Sequence, residues 1–114
     1  MDLTEMGRAA VAAKYEVQKM TAEDKNASLK AVAEGLLRDK AAILAANAQD
    51  VERAERGGMH PGMVDRLRLT DARMEAMAEG LLQICCLPDP LGEVLEHFTR
   101  PNGLEIEKRR VPLG

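Results

Sequence analysis

"LPDPLGEVLEHFTRPNGLEIEKRRVPLG", residues 87–114, is the stretch on which the fold turns. Before it, apolar residues recur three or four apart, the spacing of one helical face. At Pro88-Asp89-Pro90 that pattern must stop, because neither proline can continue a helical hydrogen-bond ladder. After Gly92 the period changes to two. Val94 to Arg100 and Leu104 to Val111 flank Pro101-Asn102-Gly103, and Asn-Gly between alternating runs is the strongest short signal for a β-hairpin. Beyond it, Lys108-Arg109-Arg110 leads into Val111-Pro112-Leu113-Gly114, an extended run heading into a turn. This predicts a chain that passes on to a further element.

Working back towards the amino terminus, the spacing predicts four or five helices. Residues 4–19 form the first, with Met6, Ala10, Ala13 and Val17 on one face. Thr21, with Asp24 three residues on, offers a near capping box for the second. Its stripe is Leu29, Val32, Ala33, Leu36 and Leu37. Ile43, Leu44, Asn47, Val51 and Ala54 continue helically to Gly57-Gly58. Asn47 with Asp50 offers a side-chain restart, which predicts a bend there. Pro61 suits the first position of a short helix carrying Met63, Val64 and Leu67. Thr70 caps a last helix whose stripe is Met74, Met77, Ala78, Leu81, Leu82 and Cys85. The expected fold is mainly α, with a carboxy-terminal hairpin.

A chain of 114 residues is one domain or part of one. Only Tyr15 and Phe98 are aromatic, so Ala, Leu, Val and seven Met must fill the core, which suits close helix packing. The net charge of −3 argues against nucleic acid as a partner, since phosphate binding needs clustered positive charge. No apolar run approaches the ~20 residues of a membrane span. Met1-Asp2-Leu3-Thr4-Glu5 has neither the basic nor the apolar region of a secretory signal. Two adjacent cysteines make no disulfide framework, so the expected setting is the reducing cytoplasm.

Chemistry is scarce. Cys85-Cys86 invites a metal or redox reading, but adjacent helical residues point different ways, and His60 and His97, the only imidazoles, lie far from any ligand pair. Cys85 continues an apolar stripe and reads as a small buried hydrophobe, with Cys86 more exposed. The carboxylates stand beside basic residues, as Glu52 does with Arg56, and read as solvated pairs. Lys108-Arg109-Arg110 suggests an anion site, but Glu105 and Glu107 neutralise it, and a salt-bridged strand surface is the expectation. There is no GxGxxG and no phosphate loop, and Gly57-Gly58 is a helix stop. No catalytic, cofactor-binding or metal-ligating residue is expected within these 114.

The order of short motifs nevertheless resembles one family. Ala46-Asn47 precedes Asp50-Val51; Asp65-Arg66-Leu67 precedes Leu69-Thr70; Leu87-Pro88-Asp89-Pro90-Leu91-Gly92 and Arg109-Arg110-Val111-Pro112-Leu113-Gly114 follow. From about Met6 to its last residue the chain resembles the amino-terminal portion of gamma-glutamyl phosphate reductase, or glutamate-5-semialdehyde dehydrogenase, of the aldehyde dehydrogenase superfamily. The resemblance implies a fragment of an α/β enzyme. Residues 1–92 would be the helical start of the nucleotide-binding domain, and 93–114 the hairpin of an oligomerisation element leading into the sheet. It implies NADPH-dependent reduction of L-glutamyl 5-phosphate to L-glutamate 5-semialdehyde in proline synthesis. A cysteine thiolate would displace phosphate and the thioester would be reduced, one hard step divided into two. In that family the nucleophile and cofactor segments lie beyond residue 114, and neither Cys85 nor Cys86 matches the nucleophile. A homo-oligomer joined through the 93–111 hairpin is implied too. The contrasting expectation is a free-standing, non-catalytic helical interaction module, which explains the scarce chemistry equally well but not the ordered motifs.

Overall fold

A computed structural model describes residues 2–113. Five helices come first: α1 (Leu3–Val17), α2 (Ala22–Arg38), α3 (Lys40–Arg56), α4 (Pro61–Leu67) and α5 (Asp71–Cys85). Two strands follow, β1 (Val94–Thr99) and β2 (Glu105–Arg109). The mainly helical class with a terminal hairpin is as the sequence predicts.

Local chemistry accounts for most boundaries. α1 starts a residue earlier than the periodicity suggests because Asp2 caps it. The Glu5 amide donates to Asp2 Oδ1 at 2.7 Å, and the Asp2 amide donates to Glu5 Oε2 at 3.1 Å. Thr21 and Asp24 make the expected cap of α2: Asp24 N donates to Thr21 Oγ1 at 3.1 Å, while Thr21 N and its hydroxyl donate to Asp24 Oδ2 at 2.9 and 2.8 Å. α3 stops at glycine as expected. Gly58, at φ +74°, donates its amide to Glu55 O, and Met59 donates to Ala54 O, the paired bonds of a Schellman cap. Thr70 caps α5 through Arg73 N at 3.2 Å.

The predicted bend near Asn47 and Asp50 is absent; α3 runs unbroken through both. The interruption falls at Asp39 (φ −96°, ψ 10°), whose carboxylate is held by Arg38 through Nε at 3.0 Å and Nη2 at 2.8 Å. Asn47 does not restart the helix because its side chain is engaged far along the chain.

The chain divides into two compact units. Lys25–Leu87 is one; Met1–Asp24 with Pro88–Gly114 is the other. Among the described residues the buried apolar ones all belong to the first: Ala33, Val51, Val64, Met74 and Ala78. Met74 is completely enclosed, at 0% exposure. The stripes are narrower in fact than in pattern: in α2 only Ala33 is buried, and Val32 and Leu37 are exposed.

In the second unit α1 has no buried residue, and its whole stripe from Met6 to Val17 faces outward. The hairpin is a two-stranded antiparallel sheet pairing His97 with Glu107, Phe98 with Ile106 and Thr99 with Glu105. A bulge between Val94 and Glu96 inserts Leu95. The strands are a little shorter than the alternation suggests, with Arg100 and Leu104 falling in the turn region. The turn is a three-residue loop. Gly103 N donates to Arg100 O, Arg100 N donates to Leu104 O, and of the loop residues only Gly103 has positive φ, at +84°. Pro101 explains this, since its fixed φ suits the first corner of an ordinary turn followed by a left-handed glycine.

Candidate functional site

The most elaborate polar arrangement holds the segment Asp65–Thr70 between α3, α4 and α5. Asn47, on the inner face of α3, donates through Nδ2 to Leu67 O at 2.9 Å and accepts from Leu69 N at 2.8 Å. One carboxamide thus satisfies a carbonyl at the end of α4 and an amide just beyond it. From α5, Arg73 reaches back over the same turn. Its guanidinium binds both oxygens of Asp65 at 3.1 and 3.0 Å, and also the carbonyls of Asp65 and Arg68. Arg68 pairs with Glu55 at 2.9 Å. Lys40 meets Asp71 at 2.9 Å and Glu75 at 3.4 Å; these hydrogen bonds, Asp71 first, raise the Lys40 pKa, and Lys40 lowers that of Asp71.

Neither Asn47 nor Arg73 stands out from the sequence as a bridge. The signal present was a polar residue on an otherwise apolar stripe, which needs a partner once half-buried. Beside this turn an open cleft of about 370 Å³ is lined by Leu44, Asn47, Val51, Leu69 and Thr70 among others. Its polar side chains already have partners: Asn47 and Thr70 in the backbone, Arg68 in Glu55 and Asp71 in Lys40. The arrangement fastens three helices together.

The residues weighed for chemistry are dispersed. Cys85 is half-buried rather than buried, because it lies on the last turn of α5; its thiol is directed at Asn26 O at 3.7 Å. Cys86 is exposed, with its sulfur 3.6 Å from Leu82 O. His60 caps α4, accepting from Gly62 N at Nδ1, 3.1 Å away. His97 lies on β1, 2.8 Å from Glu105 Oε2. Among the described residues no three His, Cys, Asp or Glu side chains gather where they would hold a metal. Glu52 pairs with Arg56 on the surface of α3.

The basic run near the end is neutralised, by Glu107 as expected but not by Glu105, which pairs with His97 and Thr99 instead. Lys108 pairs with Glu96 at 3.5 Å, Arg109 with Glu107 at 2.6 Å and Arg110 with Glu93 at 2.7 Å. Arg109 holds the Glu107 carboxyl below its usual pKa.

What the hairpin does offer is apolar surface. Phe98 and Ile106 are directly paired on one face, Phe98 remaining 45% exposed; Leu95, at the bulge, and Leu104, beside the turn, are open to solvent. Two strands alone bury little and leave both outer edges unpaired. This is the chain's best candidate for an interaction element.

Comparison with known proteins agrees along the whole chain. No family model matches it. The chain is 48% identical over 114 residues to the gamma-glutamyl phosphate reductase of Chloroflexus aurantiacus, covering 100% of this chain and 27% of that protein. The reductase of Brucella suis biovar 1 is 47% identical over 112 residues, and that of Halalkalibacterium halodurans 42% over 113. The crystal structure of gamma-glutamyl phosphate reductase from Thermotoga maritima superposes with a TM-score of 0.94 at 36% identity, covering 98% of this chain and 27% of that one. The chain therefore spans about a quarter of the length of the curated relatives it matches.

Proposed function

We propose that the chain is the amino-terminal part of a gamma-glutamyl phosphate reductase, a family whose sequence it matches over all 114 residues and whose fold over 98% of the chain. The observation that carries this is the match over all 114 residues at 48% identity. On this reading the parent enzyme is a cytoplasmic oxidoreductase of proline biosynthesis. It takes L-glutamyl 5-phosphate to L-glutamate 5-semialdehyde, releasing phosphate, with NADPH as reductant and a cysteine as nucleophile.

The residues present do not fit the nicotinamide cofactor. A dinucleotide cradle needs a glycine-rich turn between a strand and the start of a helix. Among the described residues the glycines at positive φ, Gly58, Gly92 and Gly103, stand singly: Gly58 ends α3, Gly92 precedes β1 and Gly103 closes the hairpin. We infer that the nucleophile too lies outside these residues. Both imidazoles are engaged away from the cysteines, His60 in a helix cap and His97 with Glu105, so neither is placed to activate a thiol. The chain's part in the reaction is architectural. Its α3–α5 unit is a locked helical block, and its hairpin joins copies of the enzyme by adding strands to a neighbour.

A chimera tests the assignment. Residues 1–114 would replace the corresponding segment of the Thermotoga maritima reductase, and the hybrid would be assayed with glutamate semialdehyde, phosphate and NADP⁺. Turnover approaching the parent's is expected. A hybrid that folds and assembles like the parent yet is inert would defeat the reading. Residues 1–114 alone should show no cofactor reduction; activity that copurifies with them would place the nucleophile inside this chain after all.

A further inference from the structure

We propose that Asn102-Gly103, at the tip of the hairpin, is a site of spontaneous deamidation and backbone isomerisation whose rate is set by how often the hairpin opens. The chemistry requires the amide nitrogen of the residue after an asparagine to reach that asparagine's Cγ. Glycine permits the approach because it has no side chain to obstruct it and the widest choice of backbone angles. Asn102 and Gly103 are both exposed, and a methyl group placed on Gly103 would meet no atom within 4 Å beyond its two chain neighbours.

The step balances without a reagent other than water. Gly103 N loses its proton and bonds to Asn102 Cγ; the bond from Cγ to the side-chain nitrogen breaks and ammonia leaves, closing a five-membered succinimide. Water then opens the ring at one of its two carbonyls. One opening gives aspartate. The other gives isoaspartate, in which the main chain runs through the former side chain and is one methylene longer.

The hairpin controls both partners in this step. Gly103 N donates its proton to Arg100 O at 2.8 Å, so the nucleophile is tied while the turn is closed. Asn102 Oδ1 accepts from Leu104 N at 3.1 Å, which turns the carboxamide toward Leu104 and draws electron density from Cγ. Opening the Arg100–Gly103 bond therefore frees a nucleophile beside an electrophile that is already polarised. The products cannot restore the turn as it was: isoaspartate re-routes the backbone into Gly103, and either product adds a negative charge three residues before Glu105. The change is one-way and weakens the closure that protected the site.

The other two asparagines are internal controls. Asn26 and Asn47 lie within helices, each followed by alanine, and each is part-buried with its carboxamide bonded to a distant backbone group.

The purified chain, incubated at neutral and mildly alkaline pH and followed by peptide mapping with isoaspartate detection, decides the matter. Asn102 should convert at least several-fold faster than Asn26 or Asn47, faster still as hydroxide increases, and as a mixture of both acids. A synthetic peptide spanning 99–105 should convert faster than the intact chain, and Asn102→Ser should abolish the modification in this segment. Conversion of Asn102 no faster than the two helical asparagines would overturn the site. Equal rates in peptide and intact chain would overturn the control by hairpin closure.

Discussion

Asn47 sits mid-helix with its carboxamide satisfied at both ends by the main chain of the turn after α4. Removing it strands a part-buried carbonyl and a part-buried amide, so Asn47→Ala should cost about 1–3 kcal/mol, read as a lower urea midpoint with unchanged slope. An unchanged midpoint would mean that water replaces both bonds freely. Read from sequence, the same residue looks like a local cap, because capping rules assume a partner within one turn, whereas its partners are 20 and 22 residues away. Cys85 was half legible. Its place on the apolar stripe pointed to packing, but burial fades at a helix's last turn. Cys85→Ala should cost about 1 kcal/mol, and Cys85→Ser in a full-length reductase should keep turnover within a few-fold. Loss of activity with folding intact would reopen a catalytic role.

Helix starts and stops were the most legible elements, since their chemistry is local. Thr21, Gly57-Gly58, Pro61 and Thr70 each do what their residue type prescribes. The Asp39 interruption was not legible, because no proline, glycine or hydroxyl marks it and the apolar spacing continues across it. The Asn-Gly signal gave the hairpin but not its loop, since Pro101 forces the three-residue form. One element carries a pH prediction. Hydrogen bonds from Thr21, backbone first and hydroxyl second, lower the Asp24 pKa from its ordinary 3.8. The folded chain then takes up that proton less readily than the unfolded one. The resulting stability is present above 3.8 and lost as pH falls through the depressed folded value. Asp24→Asn should therefore be less stable than the parent at neutral pH, with the gap closing in acid. A gap of the same size at every pH would show that the carboxylate's charge contributes nothing to the cap.

At the scale of the whole molecule, burial is uneven. Among the described residues the Lys25–Leu87 unit holds every buried apolar one, whereas α1 buries none and the hairpin keeps Phe98, Leu95 and Leu104 open. Amide protection follows buried, cooperatively packed structure. Slow exchange is therefore expected in α3 and α5 around Met74, and fast exchange in α1 and in β1 and β2 of the monomer. The hairpin's ladder satisfies its inner amides, but two strands without a cover open readily. If the hairpin is the assembly element proposed above, raising the concentration should slow its exchange while leaving α1 fast, as sedimentation reports a larger species. Ile106→Lys places a charge opposite Phe98, where a partner's apolar surface would have to cover it. That variant should stay smaller than the parent at equal concentration and keep its strands fast-exchanging, with the helical unit unaffected. A chain that sediments as a strict monomer while β1 and β2 are as protected as α5 would show that the hairpin needs no partner, and the assembly role would fall.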